Sequence, residues 1–295
     1  MSDDLRQATR EALAGYAPAR AGETAAALER VWLAETEPLG ETPAPVKTPL
    51  AFAGTSISVL DAVGREVARS VEARKHVNAY LPLARVLWEA HGREGRIVAA
   101  TMLGPLELAD PERLLPILRE LAGTCAGWED ADQLAMRAVE PIARRDPAGY
   151  LDRLASWVTD ANPWVRRVGV VAIGRLPMKH PDRAAQCLAL VEPALADPER
   201  EIVGRAVSFA IRIIARADAG AARVFVRRHA ETRDPNAVWV LCDVIRSLWR
   251  KLLPEFADLR PVYQDLLEHV DARSRRSVES AIGLLASAAG AAKET

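Results

Sequence analysis

The chain has 295 residues, 49% hydrophobic and 27% charged, with a net charge of −1. That size suits one large domain, or one elongated repeat domain with its own core, and the near-zero charge excludes a uniformly basic nucleic-acid binder. No run of about 18 apolar residues occurs, so no membrane span is expected. The N-terminus "MSDDLRQATREALAGYA" is acidic and amphipathic and lacks the sections of a secretory signal. Cys125, Cys187 and Cys242 stand far apart without a CxxC pair, and the five histidines are scattered. No disulfide framework, metal site or cofactor is therefore expected, and a reducing cytoplasm is the default location. Residues 161 to 251 hold 16 Lys plus Arg against 9 Asp plus Glu, a local +7 inside a neutral molecule. Arginine far outnumbers lysine and alanine is abundant, a mark of codon usage, so arginine counts alone carry little weight.

In chain order, residues 1–40 read as an N-terminal helical extension, and residues 41–295 as a single continuous helical-repeat domain. The stretch "EPLGETPAPVKTPLAFAG", residues 37–54, is a loop, because its prolines break helical pattern. Helical spacing then predicts segments at 56–73, 77–92, 95–107, 111–123, 127–144, 147–159, 181–195, 218–230, 236–252 and 272–289. Alternating strand patterns are nearly absent. Asp or Asn followed by Pro occurs at Asp110, Asp146, Asn162, Asp197 and Asp234. Each is a helix start: the side chain accepts from the free amides, and proline suits the first helical position. Three of these starts recur at intervals of about 35 residues, which suggests an α-solenoid of paired helices. In "PWVRRVGVVAIGRL", Trp164, Val168, Val171, Ala172 and Leu176 share one face, leaving Arg166 and Arg167 off the main apolar stripe. The pattern "DxxxxVRxxxxxAIGxL" resembles a HEAT repeat, and "DPEREIVGRAVSFAIRIIA" follows as a second copy.

Two groups of residues are candidates for chemistry. In "GTCAGWEDADQLAMRA", Trp128 stands four residues before Asp132, one helical turn away on the same face. A large π-surface beside a negative charge suits a cationic ligand. The plainer alternative is an indole packed between helices and a surface carboxylate. Further on, Arg205, Phe209, Arg212 and Arg216 follow i, i+4, i+7, i+11, while Val203, Ala206, Ala210, Ile213 and Ile214 form the adjoining core face. An aromatic bracketed by arginines suits a polyanion; the alternative is a solvated helix face with one aromatic at its edge. Because solenoids line one surface with the same helix of successive repeats, Trp128, Asp132, Arg167, Phe209 and Arg212 are expected on one concave face.

Four motifs in order carry a more specific resemblance. "PVKTPLAFAG" is similar to a Y-x-K-x-x-L-x-F-x-G motif, matching at Lys47, Leu50, Phe52 and Gly54. "GWEDADQL" is similar to W-[DE]-x-x-D, "WVTDANPWVRRVGVV" to W-x-x-x-x-N-x-W-x-x-R, and the region around Phe209 to K-A-[IV]-x-W-x-x-R-E. From about residue 45 to 250 the chain resembles the alkylpurine DNA glycosylase D family of bacterial DNA alkylation repair proteins. Two departures from the pattern matter: Pro45 stands for the first aromatic, and Phe209 for a tryptophan.

The resemblance implies an all-α fold of HEAT-like repeats with a concave DNA-binding face. It implies hydrolysis of the N-glycosidic bond of cationic N3- or N7-alkylated purines in duplex DNA, as in base excision repair, without full base flipping. A lesion left in the stack need not fit a tight cavity, so bulky natural-product adducts are permitted. Asp132 carries over as the carboxylate that stabilises the cationic sugar, and Trp128 and Phe209 as aromatic faces against the deoxyribose. Arg167, Arg212 and Lys47 carry over as DNA contacts. The expected partner is double-stranded DNA containing alkylated purines, met by a monomer that is nucleoid-associated when bound. The competing expectation is a non-catalytic HEAT-repeat scaffold binding DNA or protein, and Asp132 is the residue that separates the two.

Overall fold

The computed structural model describes residues 3–36, 48–70, 77–106 and 111–291. Among them all regular structure is helical and no strand occurs. The chain divides into two compact units, Met1–Arg145 and Asp146–Thr295.

Unit 1 contains α1 (Asp3–Leu13), α2 (Ala21–Ala34), α3 (Ile57–Arg69), α4 (Val77–Ala90), α5 (Gly92–Leu106), α6 (Pro111–Gly123), α7 (Trp128–Leu134) and α8 (Glu140–Arg145). A π-helical turn, Ala135–Val139, joins the last two. Helices α1, α3, α5 and α7 pack in succession as one layer, and α2 and α4 form a second. The N-terminal pair is tied in directly: Arg10 Nε donates to Glu66 Oε1 at 2.7 Å, and the Tyr16 hydroxyl donates to the Ala79 carbonyl at 2.6 Å. The layer is tight where it approaches the π turn. A Cβ on Gly104 would lie 1.9 Å from the Arg137 carbonyl oxygen, so only glycine fits there. Across the same contact Arg137 pairs with Asp61 of α3.

Unit 2 contains α9 (Pro147–Val158), α10 (Pro163–Arg175), α11 (Ala184–Val191), α12 (Arg205–Ala217), α13 (Ala219–His229), α14 (Pro235–Ser247), α15 (Arg260–His269) and α16 (Ala272–Ala291). A π turn, Arg200–Gly204, precedes α12, and a 3-10 segment, Leu253–Leu259, follows α14. Helices α10, α12, α14 and α16 pack in succession, with α9, α11, α13 and the 3-10 segment as the second layer. Of the predicted core stripes, Val168, Val171, Ala172 and Leu176 are buried on one side of the contact and Val203, Ala206, Ala210, Ile213 and Ile214 on the other, while Trp164 is only half-buried.

Three of the Asp/Asn-Pro starts are N-caps. Asp146 accepts from the Gly149 amide, Asn162 from that of Trp164, and Asp234 from those of Asn236 and Ala237. Such a cap contributes about 1 kcal/mol. Asp197 behaves differently. Arg166 holds its carboxylate at 2.7 and 3.1 Å, its remaining bond goes to the Glu199 amide, and helical structure begins only at Arg200. Asp110 lies outside the described residues. The segment predicted at 181–195 is broken into 3-10, α and 3-10 pieces, with Pro181 and Pro193 in the two 3-10 turns. The segment predicted at 236–252 ends at Ser247, where Leu248 turns extended. No helix among the described residues is long and apolar enough to cross a membrane.

Candidate functional site

Trp128 opens α7 directly after Gly127, whose backbone is fully extended. The chain enters the helix through a carboxylate clamp. Asp130 accepts from the amides of Ala126 (2.8 Å) and Gly127 (2.9 Å) and pairs with Arg96 of α5. Glu129 is held by Arg93 of α5 through two parallel bonds of 2.8 and 2.7 Å. Both acids are buried. The first turn of α7 is thus fixed on two arginines of α5, and a bidentate guanidinium–carboxylate pair fixes angle as well as distance.

The segment 49–54 crosses the same place. Arg93 stacks over the Phe52 ring at 5.0 Å, and its backbone amide donates to the Ala51 carbonyl. Glu94 accepts from the amides of Ala53 and Gly54 at 3.2 and 3.0 Å. Gly54 has φ +89°, a conformation that side chains oppose, which explains a glycine at this point of the motif. Phe52 and Gly54 therefore act on α7 through Arg93 and Glu94. Lys47 and Pro45 lie outside the described residues.

With Glu129, Asp130, Ala131, Gln133 and Leu134 buried, α7 turns Trp128 outward, 51% exposed, and leaves Asp132 half-buried one turn further along. Exposing an indole forgoes one of the largest hydrophobic gains a side chain offers. The π turn that follows α7 is a device frequent at functional sites.

In unit 2, Phe209 and Arg212 lie half-buried on α12 with the guanidinium 5.9 Å from the ring centroid. Arg212 Nη1 donates to the Ser247 carbonyl at 3.3 Å, and its Nε is buried without a hydrogen-bond partner. Burial pulls this guanidinium below its ordinary pKa, with Asp243 opposing; a bound anion would favour its charge. The aromatic–arginine pairing extends beyond the predicted stripe. Arg200 and Arg205 lie over Trp239, and Arg216 lies over Trp249 at 4.5 Å. These tryptophans were not legible as partners, because they belong to α14 and the turn after it; the arginine spacing on α12 was the available signal.

Arg167 departs from the reading that placed it off the apolar stripe: it is 5% exposed, and Nη1 donates to the Ile202 carbonyl at 2.6 Å. Ile202 sits in the π turn before α12, and the guanidinium reaches across from α10 to its carbonyl oxygen. Arg166, its neighbour, clamps Asp197 and the carbonyls of Asp160 and Ala161. Trp128 and Asp132 thus belong to unit 1, and Arg167, Phe209 and Arg212 to unit 2.

All three cysteines are buried and unbridged. Burial pushes the thiols of Cys187 and Cys242 up to about 12. No cluster of His, Cys, Asp and Glu that could hold a metal ion occurs among the described residues.

No match was found among curated proteins or among solved structures. A family model described as "DNA alkylation repair enzyme" matches residues 33–238. That span runs from the end of α2 into α14, encloses all four motifs, and covers well over half of the chain, so the protein belongs to the DNA alkylation repair enzyme family.

Proposed function

We propose that this DNA repair protein is a hydrolase, a DNA glycosylase that releases cationic N3- and N7-alkylated purines from duplex DNA without full base flipping. The observation that carries the reading is the pairing of an outward-facing Trp128 with the Asp132 carboxylate one turn away, on a helix start held rigid by Arg93 and Arg96. An alkylated purine already carries a positive charge. When the C1′–N bond breaks, its electron pair leaves with the base and neutralises that charge, so no strong general acid is needed. The sugar becomes the cation. Asp132 stabilises it and orients a water, whose oxygen forms the new bond to C1′ and whose proton is lost to solvent. At about 4 Å and an effective dielectric near 20, one carboxylate contributes up to about 4 kcal/mol, roughly a thousandfold in rate. Trp128 in unit 1 offers a π-face to the deoxyribose, and Phe209 in unit 2 offers one to the DNA; Arg212, Arg167 and Lys47 serve the phosphates. The two-layer stacking of helices within each unit supports a HEAT-like solenoid, and the proposed species is a monomer in the cytoplasm, nucleoid-associated when bound.

A different route for undoing base alkylation, transfer of the alkyl group to a cysteine thiolate, finds no suitable thiol. Cys125, Cys187 and Cys242 are buried, and raised pKa values keep the last two neutral.

The test is to incubate the protein with methylated duplex and measure free bases. Release of 7-methylguanine in parallel with abasic sites supports the reading. Tight duplex binding with no release would reassign the chain as a non-catalytic DNA-binding scaffold.

A further inference from the structure

At the C-terminal end of α12 the stripe continues into a cleft of about 550 Å³ lined by Arg216, Trp249, Arg250, Lys251 and Leu252. None of these lining side chains is acidic, and three are cationic. Arg216, Arg250 and Lys251 are exposed, and Trp249 is 40% exposed, so an apolar ring and three charges face solvent together. A second cleft of unit 2, beside Arg227 and Arg233, is lined also by Glu231, Asp265 and Glu268, which would repel an anion. The cation-rich cleft is built rather than incidental. Arg216 lies over the Trp249 ring, 4.5 Å from its centroid, so the indole face holds the guanidinium at the cleft. Arg212 fastens the neighbouring end of α14 through the Ser247 carbonyl, two residues before Trp249.

We infer that this cleft is a second nucleic-acid contact in unit 2, beside Phe209 and Arg212: it grips the phosphodiester backbone of duplex DNA, with Trp249 against a deoxyribose. The inference rests on unit 2 as the part that holds DNA, not on the excision chemistry. Its spacing fits. Arg216 follows Phe209 by seven residues on α12, ~10 Å along the axis, which is about three base-pair steps of ~3.4 Å. A ring flanked by cations is also how sequence-independent grooves hold a nucleic-acid strand.

The experiment measures binding of the full chain to short undamaged duplexes over a range of salt. Arg250→Gln with Lys251→Gln should flatten the slope of log affinity against log salt by two phosphates' worth, about 1.8. Trp249→Ala should weaken binding several-fold at a nearly unchanged slope. The exchanged pair Arg250→Lys with Lys251→Arg should keep the parent slope, since charge rather than shape carries the effect. Parent-like affinity and slope in both loss variants would overturn the assignment, as would a defect in the exchanged pair. Displacement of duplex by polyglutamate at lower concentration than by competitor duplex would also overturn it, in favour of an acidic protein partner. Base release by the parent, followed in parallel, separates the two readings: its absence would sink the glycosylase while leaving the cleft standing.

Discussion

Arg93 grips Glu129 through two parallel N–H···O bonds, with both side chains buried, at the residue next to the outward-facing Trp128. Removing one partner would leave the other as an uncompensated buried charge, a cost of about 3–5 kcal/mol. Arg93→Ala should therefore lower the melting temperature by on the order of 10 °C for a domain of this size. Replacing both, as Arg93→Met with Glu129→Leu, should recover only part of that loss, because buried Glu94, 3.6 Å from Arg93, loses its cationic neighbour as well. Circular dichroism melts of the three proteins check this. An Arg93→Ala protein as stable as the parent would show that the pair contributes nothing.

The buried thiols give a prediction about alkaline pH. Burial pushes Cys187 and Cys242 from an ordinary value of 9.0 up to about 12. The folded protein keeps these protons while the unfolded chain releases them. Their contribution is complete below about pH 8 and is lost as pH rises from about 9 towards 12, by about 1.4 kcal/mol per pH unit for each thiol. Burial raises the Tyr263 phenol well above 10.0 as well, which acts in the same direction. Denaturant titrations at pH 8 to 11 should show declining stability, with a shallower decline in a Cys187→Ala, Cys242→Ala protein. Equal slopes in the two proteins would contradict the buried-thiol account.

What the sequence made legible follows from how local each signal is. Asp146, Asn162 and Asp234 were readable as helix starts because a cap involves only residues two or three positions on. Asp197 has the same dipeptide, but Arg166 reaches it from 31 residues away, and no local pattern announces that. The helix Arg260–His269 escaped prediction: it holds only two buried residues, Tyr263 and Leu266, too thin a stripe to read. At the site, the Trp128–Asp132 spacing was visible, whereas the partners of Glu129 and Asp130 lie 36 and 34 residues upstream. The π turn at Ala135–Val139 interrupts the single segment predicted at 127–144; its one extra residue turns the apolar face by about 100°, but the helical runs on either side are too short for the change of phase to be read.

The grip on phosphate is tested most directly at Arg212, whose buried Nε lacks a partner. Arg212→Ala should weaken binding to damaged and undamaged duplex alike and flatten the salt slope by about one phosphate's worth. Arg167→Ala should do the same and also lower thermal stability, because it removes the bond to the Ile202 carbonyl. Anisotropy titrations at several salt concentrations measure both. An unchanged slope in either protein would remove that arginine from the phosphate contacts.

The mechanism stands or falls on Asp132. Asp132→Asn keeps the shape of the side chain and removes its charge. If the carboxylate stabilises a cationic sugar, the variant should bind duplex about as well as the parent while releasing 7-methylguanine roughly 10²- to 10³-fold more slowly. Thermal melts of the two proteins, run in parallel, separate loss of the charge from any loss of structure at this half-buried position. Trp128→Ala should also slow release, but by less, because a CH–π or cation–π contact is worth about 0.5–2 kcal/mol. Phe209→Trp, which restores the ring found in the family pattern, should leave release unchanged or raise it. Neutral purines should leave poorly from every one of these proteins, since no group placed at the site protonates a departing base. Single-turnover assays on one methylated duplex, with abasic sites counted alongside free base, resolve the expectations about release, and anisotropy titrations the one about binding. Parent-like release by the Asp132→Asn protein would return Trp128 and Asp132 to an unremarkable helix start, and the excision chemistry would have to be sought on other residues.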